Sequence, residues 1–247
     1  MRWGFTNSRQ LLINDATRKG NVRFYAAATY GLYGFIFADL ILHQFVVKRI
    51  KSNVTTQTGR ETRTRSIITT TETKEGNTIW EFVTKEETYC PLSEAIHSEV
   101  DNKWRPRKRK MMPSILPGIK ALWKFQQKFG RLPESTREDF AEFTRIMTEA
   151  DRELALPEEL VKAEFIRSTS DSHPTPSCPV LMYIIRPFVE NASAELSPVA
   201  AVLGGLLAQD AINVLGKMEQ PIQNLLVFDG DISAAPIVVL ALQREDQ

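Results

Sequence analysis

The sequence predicts an α/β core interrupted by a helical unit. Three observations carry that assignment. Two apolar runs early in the chain, "RFYAAAT" and "GFIFADL", read as buried strands. A middle stretch from Gly118 to Leu154 repeats its apolar residues at helical spacing. A long apolar helix then precedes two further strands, "NLLVFDG" and "PIVVLAL".

The first run, Phe24–Val47, is long enough to raise the question of a membrane span. Asp39 answers it, because a carboxylate at that depth costs about 2.5–3.5 kcal/mol. His43 and Gln44 add polar load. Gly31 and Gly34, flanked by Tyr30 and Tyr33, read better as a reversal between two interior strands. Continuous apolar strands suit a sheet covered on both faces. From Lys48 the chain turns polar and basic and reads as a loop to about Arg65. Thr64–Thr73 and Thr78–Tyr89 then form a predicted hairpin around "TKEGN".

The composition changes at "NKWRPRKRK", with six basic residues between Lys103 and Lys110. Ile119, Leu122, Trp123 and Phe129 predict one amphipathic helix. Phe140, Phe143, Met147 and Leu154 predict a second, with Ser135 and Glu138 at capping-box spacing. "PEELVKAEFI" reads as a short third helix begun by Pro157. Residues 131–164 hold ten acidic and five basic side chains, an acidic outer face. Ser168–Pro187 is turn-rich, then apolar, and fits neither neighbour.

"LSPVAAVLGGLLAQDAINVLGKM" reads as a helix with Ser197 as N-cap, Pro198 at the first position and Gly216 near the C-terminal cap. Val199, Val202, Leu203, Leu206 and Leu207 form its predicted apolar stripe. Gly204 and Gly205 lie mid-helix, each costing about 1 kcal/mol relative to Ala. They suggest close approach of another backbone.

Composition and motifs narrow the chemistry. The chain has 247 residues and a formal net charge of +1, which names no polyanionic partner. Two cysteines build no disulfide framework, and three histidines show no metal-ligand spacing. There is no Gly-x-Gly-x-x-Gly, no Walker loop and no secretory leader pattern. Cys90 reads as a small semi-buried side chain, and Cys178 lies in the proline-rich segment. His43 has no visible nucleophile or carboxylate partner. Arg105, Arg107, Lys108, Arg109 and Lys110 read as a nuclear-import signal or a solvated basic linker. Nucleic-acid binding is disfavoured, since aromatics are not interleaved beyond Trp104. Gln209 and Asp210 either face solvent, cap a neighbouring loop or anchor a subunit interface.

The stretches "FYAAATYGLYGFIFADL", "SPVAAVLGGLLAQDAINVLG" and "PIQNLLVFDG" resemble the ubiquitin-like-protein activating enzymes. The likeness is to non-catalytic subunits of fungal SUMO-activating enzymes, and it covers most of Asn21–Leu242. It implies the C-terminal part of a ThiF/MoeB-like (Rossmann-type) adenylation fold with an inserted helical half-domain. Residues 1–93 would supply core strands, 94–187 the insert with the atypical segment 168–187, and 188–247 the completing helix and strands.

The resemblance implies a heterodimer with a catalytic subunit that binds ATP and Mg and carries the catalytic cysteine. SUMO would be handled indirectly, in the nucleus and cytoplasm. No catalytic, cofactor-binding or metal residue is expected in this chain. Pro198, Gly204, Gly205, Gln209 and Asp210 are the expected packing or interface residues. A self-sufficient ThiF/MoeB-type enzyme would need a phosphate loop that the chain lacks; an inactive family fragment is the other alternative.

Three departures stand out. Nothing before Asn21 resembles the family's first half, with its arginine reaching the partner's ATP, so an N-terminal truncation is expected. Ser168–Pro187 interrupts a join that the family makes directly. Cys90 lacks the Cys-Thr context of the catalytic subunits.

Overall fold

The computed structural model describes residues 7–98, 112–154 and 179–240. Helix α1 (Asn7–Lys19) precedes the hairpin β1 (Phe24–Tyr30) and β2 (Tyr33–Asp39). The two strands pair in register from Phe24 opposite Asp39 to Tyr30 opposite Tyr33. Gly31 makes the reversal at φ +60°, and a methyl there would lie 2.8 Å from the Asn191 Cβ. Only glycine satisfies both demands. β7 (Leu225–Asp229) and β8 (Ile237–Val238) complete a four-stranded sheet in the order β1-β2-β7-β8.

Every pairing in this sheet is antiparallel, and the first of them is the reversal read at Gly31. For β1 and β2 the reason is local: a two-residue connection reverses the chain, whereas parallel neighbours need a crossover of a dozen residues or more.

All seven residues of β2 are buried, as a sheet covered on both faces requires. Tyr33, Phe35 and Phe37 turn to one side and Ile36 and Ala38 to the other. The first side meets α3 (Leu116–Phe129), α4 (Arg137–Leu154) and α5 (Pro179–Glu190). Trp123 sets its ring edge-on to Phe35 at 4.9 Å, and Phe188 stacks on Tyr33 at 4.7 Å. The second side is covered by α6 (Ser197–Gly216) through Val199, Leu203 and Val214. The helical insert and the first sheet therefore share one core.

Several sequence expectations shift. β3 (Leu42–Ile50) runs through the basic residues expected to be a loop. It survives there because Lys48 and Arg49 pair with Glu75 and Glu81 of the neighbouring hairpin. That hairpin, β5 (Arg65–Glu75) and β6 (Thr78–Thr88), lies where predicted. With the two-residue β4 (Gly59–Arg60) it forms a second antiparallel sheet, β3-β6-β5-β4. Thr136, not Ser135, caps α4 by accepting the Asp139 amide. Phe129 ends exposed on the last turn of α3, where the helix has passed beyond the core. The "PEELVKAEFI" helix and Cys178 lie outside the described residues. The apolar end of Ser168–Pro187 belongs to α5 and buries Ile185.

Asp39 closes β2 fully buried, and its charge is met from three directions. It accepts hydrogen bonds from Asn14 at 2.8 Å, Arg18 at 2.6 Å and the Ile41 amide at 3.1 Å. Asn14 accepts in turn from the Leu92 amide that opens α2 (Leu92–Ile96). The carboxylate that interrupts the apolar run thus bolts α1 to the sheet.

Candidate partner-binding surface

Helix α6 is apolar around its whole circumference, but the sheet uses one narrow stripe. Val199, Leu203 and Val214 are buried with Asp210 on that stripe. Val202 (46% exposed), Ile212 (63%) and Leu215 (79%) face outward, followed by Met218 (42%). Val202 therefore leaves the buried stripe predicted for it. With apolar residues on every side, periodicity cannot say which side a sheet will take.

The caps also move. Leu196 holds the N-cap position with no side-chain bond, and Lys217 ends the helix in the left-handed region at φ 51°. Lys217 then accepts the Val46 amide, and the Glu219 amide donates to the Val46 carbonyl. These two bonds tie the end of α6 to β3.

The predicted interface residues divide. Gly204 and Gly205 are exposed, and a methyl at either would meet open space within 4 Å. Among the described residues no backbone approaches them, so the close approach expected at these glycines is not one that the described part of this chain makes. Pro198 and Gln209 are exposed too, and Gln209 donates along the helix to Asn213 at 3.0 Å. Asp210 points inward instead. It accepts from the Tyr25 hydroxyl at 2.6 Å and from the Ile222 amide at 2.8 Å. Burial pushes its carboxyl above the usual carboxylate range, partly offset by those two bonds. Asp210 is the internal fastener of α6, and it caps a neighbouring loop as one sequence reading held.

The surface is thus Val202, Gly204, Gly205, Ile212 and Leu215, with Met218 at its end. The sequence reading missed Ile212, Leu215 and Met218, although "AINVLGKM" carried their apolar signal.

Among the described residues the nucleophile candidates are structural. The Cys90 thiol donates to the Leu240 carbonyl at 3.1 Å and accepts from Asn224 at 3.0 Å. Burial pushes it up to about 12, far from a thiolate at neutral pH. His43 is buried against Phe45, and neither ring nitrogen has a hydrogen-bond partner among the described residues. No group of three His, Cys, Asp or Glu converges among the described residues. Arg105, Arg107, Lys108, Arg109 and Lys110 lie outside the described residues.

Comparison with known proteins gives the surface its context. No protein-family model matches the chain. The DNA damage tolerance protein RHC31 of Saccharomyces cerevisiae is 30% identical over 222 residues, covering 88% of this chain and 57% of that protein. The DNA damage tolerance protein rad31 of Schizosaccharomyces pombe is 28% identical over 225 residues, 91% of this chain and 55% of its own. The SUMO-activating enzyme subunit 1 of Xenopus laevis is 28% identical over 230 residues, 90% of this chain and 57% of its own.

The chain is a homologue of SUMO-activating enzyme subunit 1.

This subunit 1 homologue spans just over half the length of each of these relatives. The resemblance extends over about nine-tenths of the chain. α6 is the one described helix long and apolar enough to cross a bilayer by length and composition. In the subunit 1 homologue it lies on the sheet, fastened at mid-length by Asp210.

Proposed function

We propose that the chain acts as the non-catalytic subunit of a SUMO-activating enzyme and pairs with a catalytic subunit. On this reading the partner binds ATP and Mg, adenylates SUMO and carries the reactive cysteine. The present chain takes the C-terminal part of a ThiF/MoeB-type fold and handles SUMO only through that partner. The observation that carries the proposal is the outward apolar face of α6 with its two surface glycines. A contiguous apolar helix face left uncovered by the described residues is characteristic of an interaction site. The glycines allow a partner's backbone to approach closely. The thiol of Cys90, held protonated and hydrogen-bonded, fits a subunit that leaves thioester chemistry to its partner.

The test is capture of a catalytic SUMO-activating subunit by the purified chain, with wild type compared to Ile212→Lys and Leu215→Lys. The expected result is capture by wild type and at least about a tenfold loss in either variant. A folded wild-type chain that captures no catalytic subunit would sink the reading. Residues 105–110 are further proposed to act in nuclear import. A fluorescent fusion with those basic residues changed to Ala that still enters nuclei would remove that role.

A further inference from the structure

The segment that leaves α6 is built against the second sheet. Lys217 ends the helix at φ 51°, and Glu219 follows at φ 61°. Side chains adopt that left-handed backbone rarely, so surrounding bonds must hold it. Val46 of β3 supplies them. Its amide donates to the Lys217 carbonyl at 2.9 Å, and its carbonyl accepts the Glu219 amide at 3.0 Å. Met218 lies alongside Val46 in a parallel bridge. Both backbone groups of Val46 therefore point away from β6, and Val46 and Thr84 form a non-hydrogen-bonded pair of the β3–β6 ladder.

The same segment reaches the second sheet again. The Ile222 amide donates to Asp210, and the Gln223 side-chain amide donates to the Thr88 carbonyl of β6 at 3.1 Å. Residues 217–223 thus meet two strands of the second sheet and, between them, the fastener of α6. The outward face of α6 ends here as well, because the exposed Leu215 and Met218 flank the Lys217 turn.

We propose that residues 217–223 are a latch that couples the α6 surface to the second sheet. Closed on Val46, the latch consolidates β3 and β6. Released, it relieves the two left-handed residues and leaves the sheet to its own ladder and ion pairs. A catalytic subunit seated on Leu215 and Met218 favours the closed form, so docking firms the sheet. Such coupling is reciprocal, so whatever loosens the sheet weakens docking. The docking half rests on the reading of α6 given above; the latch itself does not.

The experiment is amide hydrogen exchange of the whole chain, alone and with a catalytic SUMO-activating subunit, for wild type, Val46→Pro and Glu219→Gly. Proline at 46 removes the donor to Lys217 and no bond of the β3–β6 ladder. Glycine at 219 keeps the amide and suits the left-handed backbone. Phe45 and Val47 face Lys85 and Val83 in the hydrogen-bonded pairs on either side of Val46. In the free chain the amides of these residues should exchange at least about fivefold faster in Val46→Pro and about threefold slower in Glu219→Gly, while those of β2 and β7 stay unchanged. Glu219 lies outside β3, so distortion of the strand by proline cannot mimic the second effect. Docking should slow the same amides by at least about tenfold. Glu81→Gln, which weakens the pair with Arg49 away from α6, should lower capture by at least about threefold. Unchanged exchange in Glu219→Gly, or a captured subunit that leaves these amides as fast as before, would overturn the proposal. A folded wild type that captures nothing would remove the α6 reading and the docking half with it, while exchange in the free chain still decides the latch.

Discussion

The Tyr25 hydroxyl of β1 donates a 2.6 Å hydrogen bond to the Asp210 carboxylate of α6, across 185 residues of chain. The same carboxylate accepts the Ile222 amide, so one side chain holds strand, helix and loop together. Tyr25→Phe should cost about 1–2 kcal/mol, since Asp210 keeps its second partner. Asp210→Ala strands two buried donors and should cost about 2–4 kcal/mol. Urea titration of both variants checks the order. Equal losses would mean that Asp210 is not the shared fastener.

The two glycines of α6 separate stability from binding. Their Cβ positions are open, so Gly204→Ala and Gly205→Ala should each raise stability by about 0.5–1 kcal/mol. If a partner backbone lies against them, the same changes should weaken capture of the catalytic subunit. Thermal melts and binding isotherms on the double variant read the two effects. A more stable variant that binds as well as wild type would remove the glycines from the interface.

His43 makes the chain acid-sensitive. Burial first, then the charges of Arg23 and Lys217, pull its ring down to about 4 from an ordinary value near 6.5. Its cross-strand partner Glu87 is already taken by Arg65. The folded chain thus resists a proton that the unfolded chain accepts. The contribution is intact above about pH 6.5 and is lost as pH falls toward 4, amounting to about 2 kcal/mol by about pH 4.5. The stability of His43→Leu should fall less than that of wild type across that window, giving the flatter pH profile of the two. Parallel pH profiles would show that the loss arises elsewhere.

Lys120 is fully buried in the helical insert, where it donates to the Ser98 carbonyl at 2.6 Å and to Glu153 at 3.3 Å. Lys120→Met keeps the volume and removes the donor. Glu153 retains Lys124, but the Ser98 carbonyl loses this donor, for a loss of about 1–3 kcal/mol. Denaturant midpoints test this. A variant as stable as wild type would mean that water replaces the ammonium at Ser98.

Much of this architecture was legible because its signals are local. Gly31 and the "EGN" turn mark two hairpins within a few residues of where they occur, and Phe143 and Met147 mark α4 by spacing alone. What was missed depends on distant partners. α1 has little apolar character, and its hold on the sheet comes from Asn14 and Arg18 meeting Asp39 more than 20 residues away. The second half of β3 reads as a polar loop until Glu81 and Glu75 stand opposite its charges. Asp210 stayed open between surface residue, loop cap and interface anchor because its two partners lie far off in sequence, at Tyr25 and Ile222. On the candidate surface, the glycines were visible in sequence, but the outward side of α6 was not.

The second sheet rests on a different kind of bond from the first. Its strands contribute Phe45 and Val83 as buried apolar residues and no member of either main core cluster. Across its faces run Arg49–Glu81, Lys51–Glu72 and Lys85–Glu61, each at 2.7 Å. Such pairs are weak one by one and weaker still in salt. The chain therefore holds two cooperative units of unequal depth. Amide hydrogen exchange should find β4–β6 opening first, faster as ionic strength rises, while the amides of β2 and β7 exchange only through global unfolding.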